Sequence, residues 1–134
     1  MVVAALLIDL QVDFFAHPRL LAHRARLAAN INALTSTLRK AGHPVIWVTQ
    51  CWAQDLHDAP LMCAIRAFES LSEGTPGAAL LPELISAPAD YRIVKKRYSP
   101  FFGTCLDELL KTIGAKRLII AGGELSRVCQ SSGY

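Results

Sequence analysis

The sequence predicts an α/β fold built on a mostly parallel sheet. Short unbroken apolar runs recur along the chain, as in strands buried on both faces. A long stretch between the first two runs has helical periodicity. Runs and helical stretches alternate, the order that a parallel sheet with crossover helices requires.

Val2-Val3-Ala4-Ala5-Leu6-Leu7-Ile8 is the first such run. A helix is expected over residues 19–41, where Leu20, Leu27, Ile31, Leu34 and Leu38 fall on one face, with Gly42 to end it and Pro44 just beyond. Val45-Ile46-Trp47-Val48 reads as the second strand. Over residues 50–88 the pattern blurs; a short helix is expected at 61–71 and a turn at Gly74-Thr75-Pro76-Gly77. Connections this long in compact domains are often functional. Tyr91-Arg92-Ile93-Val94 reads as the third strand. Thr104 is placed to cap a helix running through Ile113, with Asp107 three residues on and Gly114 as its stop. Leu118-Ile119-Ile120-Ala121 is the fourth strand.

A chain of 134 residues, 52% apolar and 19% charged, is expected to form one domain with a real core. The net charge is only +3. Arg19, Arg24, Arg26, Arg39 and Lys40 fall on or beside the first helix, without interleaved aromatics for base stacking, so a solvated helix face is expected and no nucleic-acid partner. The apolar start has no basic segment before it, and no run is long enough to cross a bilayer. No membrane partner and a cytoplasmic address are expected. Cys51, Cys63, Cys105 and Cys129 show neither a CxxC pair nor a tight framework, which argues for free thiols.

Three polar residues follow three strands. Asp9 directly follows the first, Lys95 the third, and Gly122-Gly123 leads from the fourth to Cys129. In open parallel sheets, ligands bind beyond the carboxyl ends of the strands. Each residue also has a plainer reading. A lone Asp after a strand is more often a cap. Lys95, with Lys96 and Arg97, taken alone reads more often as a surface charge, and Cys51, Cys63 and Cys105 read as small buried hydrophobes. Cys129 stands apart, past a Gly-Gly strand exit where a new helix would begin. A helix N-terminus lowers a thiol pKa, and so does a neighbouring ammonium.

Leu6-Leu7-Ile8-Asp9-Leu10-Gln11-Val12-Asp13-Phe14 resembles the opening motif of isochorismatase-like hydrolases. The run from Ile93 through Lys95 and Tyr98 to Thr104 resembles their lysine motif, and Ala121-Gly122-Gly123-Glu124-Leu125-Ser126-Arg127-Val128-Cys129 their nucleophile segment. Ser126 stands where Thr is usual, and Glu124-Leu125 is atypical. Gly74-Thr75-Pro76-Gly77 and Leu81-Pro82-Glu83-Leu84 also resemble the stretch before the lysine motif.

The resemblance implies a three-layer αβα fold and hydrolysis of an amide or related C–N bond in a small molecule. It implies a catalytic triad of Asp9, Lys95 and Cys129: Cys129 as nucleophile, Asp9 as general base and acid, Lys95 as electrostatic stabiliser. It further implies oxyanion donors from the backbone N–H groups of Leu125 and Cys129, and a cis peptide between Glu124 and Leu125. Phe14 and Tyr98 match positions that line the family's substrate pocket; core packing is the alternative for both. Nicotinamidases of the superfamily begin a metal site with Asp-x-His after the second strand. Gln50-Cys51-Trp52-Ala53 stands there, so no metal and no cofactor are expected. Cys51, His57 and Cys63 are the weak candidates for zinc.

Two other functions share the fold: an isochorismatase-type vinyl-ether hydrolase using Asp9 as general acid, and a catalytically silent binding domain. Family resemblance also implies a homo-oligomer. Relatives normally continue past the nucleophile with a helix and at least one more strand and helix. The chain is therefore expected to be a single domain, 1–134, incomplete at its C-terminus, with the fourth strand left as an apolar edge.

Overall fold

The computed structural model describes residues 1–16, 18–53, 55, 57, 71–97 and 99–122. Four strands form one sheet: β1 (Val2–Ile8), β2 (Val45–Gln50), β3 (Tyr91–Lys95) and β4 (Ala115–Gly122). Their order is β3-β2-β1-β4 and every pairing is parallel. Helix α1 (Pro18–Lys40) connects β1 to β2, and α2 (Leu106–Ile113) connects β3 to β4.

Strand β1 is central, and its alternating side chains feed two cores. Ala4, Leu6 and Ile8 pack with Ile46, Val48 and Ile93 beneath Leu106 and Leu110 of α2. Ala5 and Leu7 pack with Val45 and Trp47 beneath Ile31 and Leu38 of α1. Burial on both faces explains why β1 is an unbroken apolar run rather than an alternating one. The result is the three-layer αβα arrangement implied by the sequence.

α1 ends as expected. Gly42 lies in the left-handed region (φ 79°), its N–H donates to Arg39 O at 3.0 Å, and the His43 N–H reaches back to Leu38 O at 2.9 Å. This double closure is a Schellman motif. Arg19, Arg26 and Lys40 are exposed, as a solvated face requires, but Arg24 and Arg39 have more specific work. Arg24 holds Glu83 through two bonds of 2.6 and 2.7 Å. Arg39 holds Asp90 through bonds of 3.1 and 2.5 Å. Asn32 donates to Glu83 O and accepts from the Ile85 N–H. The connection into β3 is thereby fastened to the helix.

Some boundaries differ from expectation. β2 runs on to Gln50, and β3 takes in Lys95 as its last residue. β4 starts at Ala115, since pairing with Val2 begins directly after the Gly114 stop. α2 starts at Leu106 with Cys105 at the cap position; Thr104, one residue further out, still accepts the Leu106 N–H at 3.3 Å. Cys105 is exposed and Cys51 half-buried, so neither is the buried hydrophobe expected; a helix-cap position keeps Cys105 at the surface. The helix expected at 61–71 lies outside the described residues except for Leu71. Among the described residues no helix is long and apolar enough to cross a membrane.

Candidate active site

The carboxyl end of β1 carries Asp9 and the carboxyl end of β3 carries Lys95, with β2 between them. The Lys95 stem and the Asp9 side chain reach toward each other over the two strand spacings, roughly 10 Å, and bring Nζ to 3.2 Å from Asp9 Oδ2. Both residues are 0% exposed. A buried charge is tolerated only when paired and hydrogen-bonded, so Lys95 is not a surface charge and Asp9 is not a simple cap.

The backbone at Asp9 is unusual. Its φ is 59°, a left-handed conformation that is uncommon for a residue with a side chain, although Asp tolerates it better than most. Its N–H still donates to Val48 O at 3.0 Å, as the last bond of the β1–β2 ladder. The chain then turns away from β2. Opposite, Gly122 pairs with Ile8, and a Cβ there would lie 2.2 Å from Ile8 O. Glycine is required for β4 to approach this closely beside Asp9.

Two further side chains of the opening motif shape the site, and sequence reasoning gave them no role. Gln11, fully buried, accepts the Gln50 N–H at 2.8 Å and donates to Gln50 O at 2.8 Å and Ala78 O at 2.7 Å. Asp13 accepts the Leu71 N–H at 2.7 Å, and its carboxylate occupies the space where a side chain on Gly77 would stand. The backbone bonds Val12 N–H to Ala79 O and Leu81 N–H to Leu10 O add a short antiparallel seam. The segment after β1 is thus tied to the 71–81 segment. The only hint in the sequence was a pair of polar residues, Gln11 and Asp13, spaced among apolar ones.

Phe14, in the 3-10 turn Val12–Phe15, is half-buried and packs against Trp52 and Leu71 as well as the α1-side core. Trp52 in turn donates its indole N–H to Lys96 O at 3.3 Å, and the Lys96 ammonium donates to Cys51 O. The lysine motif is therefore laced to the end of β2. Of the weak zinc candidates, Cys51 is half-buried and His57 is exposed, paired with Asp55 at 2.6 Å. That hydrogen bond holds the Asp55 carboxyl below its usual value. Among the described residues no group of three or more His, Cys, Asp or Glu is gathered for a metal ion. Tyr98, Cys63, Leu125, Cys129 and the Glu124–Leu125 peptide lie outside the described residues.

Fold and site together define a three-layer α/β protein with a buried carboxylate–ammonium pair at the carboxyl edge of its sheet. A model of the isochorismatase domain matches residues 3–133, and the chain belongs to the isochorismatase family. It is 32% identical over 126 residues to a probable inactive nicotinamidase of Arabidopsis thaliana, covering 89% of this chain and 64% of that protein. The structure resembles an isochorismatase family protein from Desulfovibrio vulgaris (30% identity, TM-score 0.77, 90% of this chain and 66% of that one). It also resembles N-carbamoylsarcosine amidase from Thermoplasma acidophilum (26% identity, TM-score 0.74, 91% of this chain and 68% of that one). This chain thus spans under two thirds of the length of the plant protein.

Proposed function

We propose that the protein hydrolyses a C–N bond in a small amide or ureido compound, with Asp9, Lys95 and Cys129 as its catalytic residues. The observation that carries this reading is the fully buried Asp9–Lys95 pair at the strand ends where ligands bind in parallel sheets. The likeness to an amidase at 26% identity supports the C–N bond as target.

Asp9 takes the proton of the Cys129 thiol, and the thiolate sulfur bonds to the substrate carbonyl carbon. The resulting oxyanion is held by the N–H groups of Leu125 and Cys129. The C–N bond breaks as Asp9 returns the proton to the leaving nitrogen, which departs as amine or ammonia and leaves a thioester. Water adds to the thioester as Asp9 takes its proton, the C–S bond breaks, and the proton goes back to sulfur as the acid leaves. Lys95 balances the charge on Asp9 and on the thiolate throughout. Phe14 and Tyr98 form the apolar wall.

A panel of N-carbamoylsarcosine, simple amides, ureido acids and hydroxamates, assayed for ammonia or acid release, tests the reading. Asp9→Asn and Cys129→Ser are each expected to reduce turnover at least about a thousand-fold. Activity that survives Cys129→Ala would favour the vinyl-ether chemistry with Asp9 alone. A second reading, a binding domain without turnover, draws on the relative of 32% identity that is a probable inactive nicotinamidase. It predicts no turnover across the panel and no selective reactivity at Cys129.

A further inference from the structure

We infer that Gln11 is a positioning residue: its buried side-chain amide sets the distance between Asp9 and Lys95 by acting as a substitute for strand backbone. The inference deepens the functional reading above and rests on its assignment of Asp9 and Lys95.

The β1–β2 ladder closes at the bond from the Asp9 N–H to Val48 O. Backbone groups alternate sides along a strand, so two residues on, the N–H and C=O of Gln50 face β1 again. There β1 has already turned away through the left-handed Asp9. The Gln11 amide fills the gap, accepting the Gln50 N–H and donating to Gln50 O, both at 2.8 Å. It presents one acceptor and one donor, just as a neighbouring strand does. Its second amide hydrogen goes to Ala78 O at 2.7 Å, which fastens the clamp to the 71–81 segment.

This clamp acts on both members of the pair. Gln50 is the register partner of Lys95 in the β2–β3 ladder, so holding Gln50 holds the strand end on which Lys95 stands. On the other side, Asp9 is confined between its own bond to Val48 and the clamp two residues later. A left-handed residue with a side chain is strained and persists where its surroundings over-determine it. Gln11 supplies that constraint with bonds that exclude water, and the carboxylate is kept aimed across β2 at Nζ. A plain structural account would explain only why no buried backbone group is left unpaired. The positioning account adds that the pair loosens selectively when the amide is removed.

The test needs no substrate. The Lys95 ammonium 15N signal and the Asp9 carboxyl 13C signal are recorded by NMR for the wild type, Gln11→Met, Gln11→Glu and Leu38→Ala. Methionine keeps the volume and removes the amide; glutamate keeps an acceptor for the Gln50 N–H. Leu38, buried in the α1-side core, supplies a loss of stability away from the pair. In Gln11→Met the Lys95 ammonium should exchange with water at least about ten-fold faster, and the Asp9 carboxyl signal should move. Gln11→Glu should give a smaller change of the same kind, and Leu38→Ala none. Unchanged signals in a folded Gln11→Met, or an equal change in Leu38→Ala, would overturn the proposal. So would failure of both Gln11 variants to fold, which would make the amide a purely structural brace. A protein with no turnover but with these NMR responses would sink the hydrolase reading and leave the positioning role standing.

Discussion

At the scale of single residues, the energetics of the site turn on whether charges are balanced rather than on how strong the pair is. Asp9 and Lys95 are both withdrawn from water, and the attraction across 3.2 Å mainly offsets the cost of burying them. Removing one partner therefore harms the fold more than removing both. Lys95→Met and Asp9→Leu should each lower unfolding free energy by about 3–5 kcal/mol, and the double variant should recover much of that loss. Urea unfolding of the four proteins checks it; purely additive losses would show that the charges do not sense each other. Both residues were legible in the sequence because a charged residue at the end of an otherwise apolar strand is conspicuous. Their burial was not, since Lys95-Lys96-Arg97 has the composition of a surface loop. The Gln11 clamp was equally hidden, because a side chain that bonds to distant backbone leaves no periodic trace.

At the scale of elements, periodicity located the four strands and both described helices but not their ends. β2 was expected to stop at Val48, because Thr49 and Gln50 interrupt the apolar run; backbone pairing with β3 carries it two residues further. β4 was expected from Leu118 because Lys116 and Arg117 look like loop, yet among the described residues β4 is the outermost strand, where exposed charges have room. What secures the elements to one another is also more polar than the sequence suggested. Asp90 joins the start of β3 to α1 and β2 by accepting from Arg39, Trp47 and the Ala87 N–H. Burial pushes its carboxyl pKa up, but the hydrogen bonds from Arg39, Trp47 and Ala87 outweigh this and hold it below the usual value. A carboxyl whose folded pKa is depressed contributes stability that is complete above the unfolded value, about 3.9, and is lost as pH falls through the folded one. Asp90→Asn should therefore be less stable than wild type at neutral pH. The difference should shrink as the pH falls below about 5. Urea midpoints across that range measure it, and a gap that stays constant would assign the acid loss to other carboxyls.

At the scale of the molecule, the strand order converts three separated stretches of sequence into one edge. β1 lies between β2 and β4, so Asp9 has Val48 and Gln50 on one side and the glycine exit of β4 on the other. Gly122 lets that exit pass against Ile8 O, and the chain beyond it leads to Cys129 seven residues later. Such an arrangement predicts a thiol chemistry opposite to what access alone would give. Cys105 is exposed and Cys51 half-buried, so access alone would have a brief pulse of iodoacetamide label Cys105 first. If Lys95 and a helix start activate Cys129, that thiol should react first, because thiolate fraction governs the rate at neutral pH. Its lead should be largest near neutrality and shrink as the pH rises, because thiolate fraction sets the rate. Lys95→Met, verified as folded, should slow Cys129 while leaving Cys105 unchanged, since Cys105 is exposed and the Lys95 ammonium is wholly buried against Asp9. Peptide mass spectrometry after timed alkylation resolves the four cysteines individually. Cys105 reacting ahead of Cys129 at neutral pH, with no response to Lys95→Met, would remove the nucleophile from the proposed chemistry and leave Asp9 to act without it.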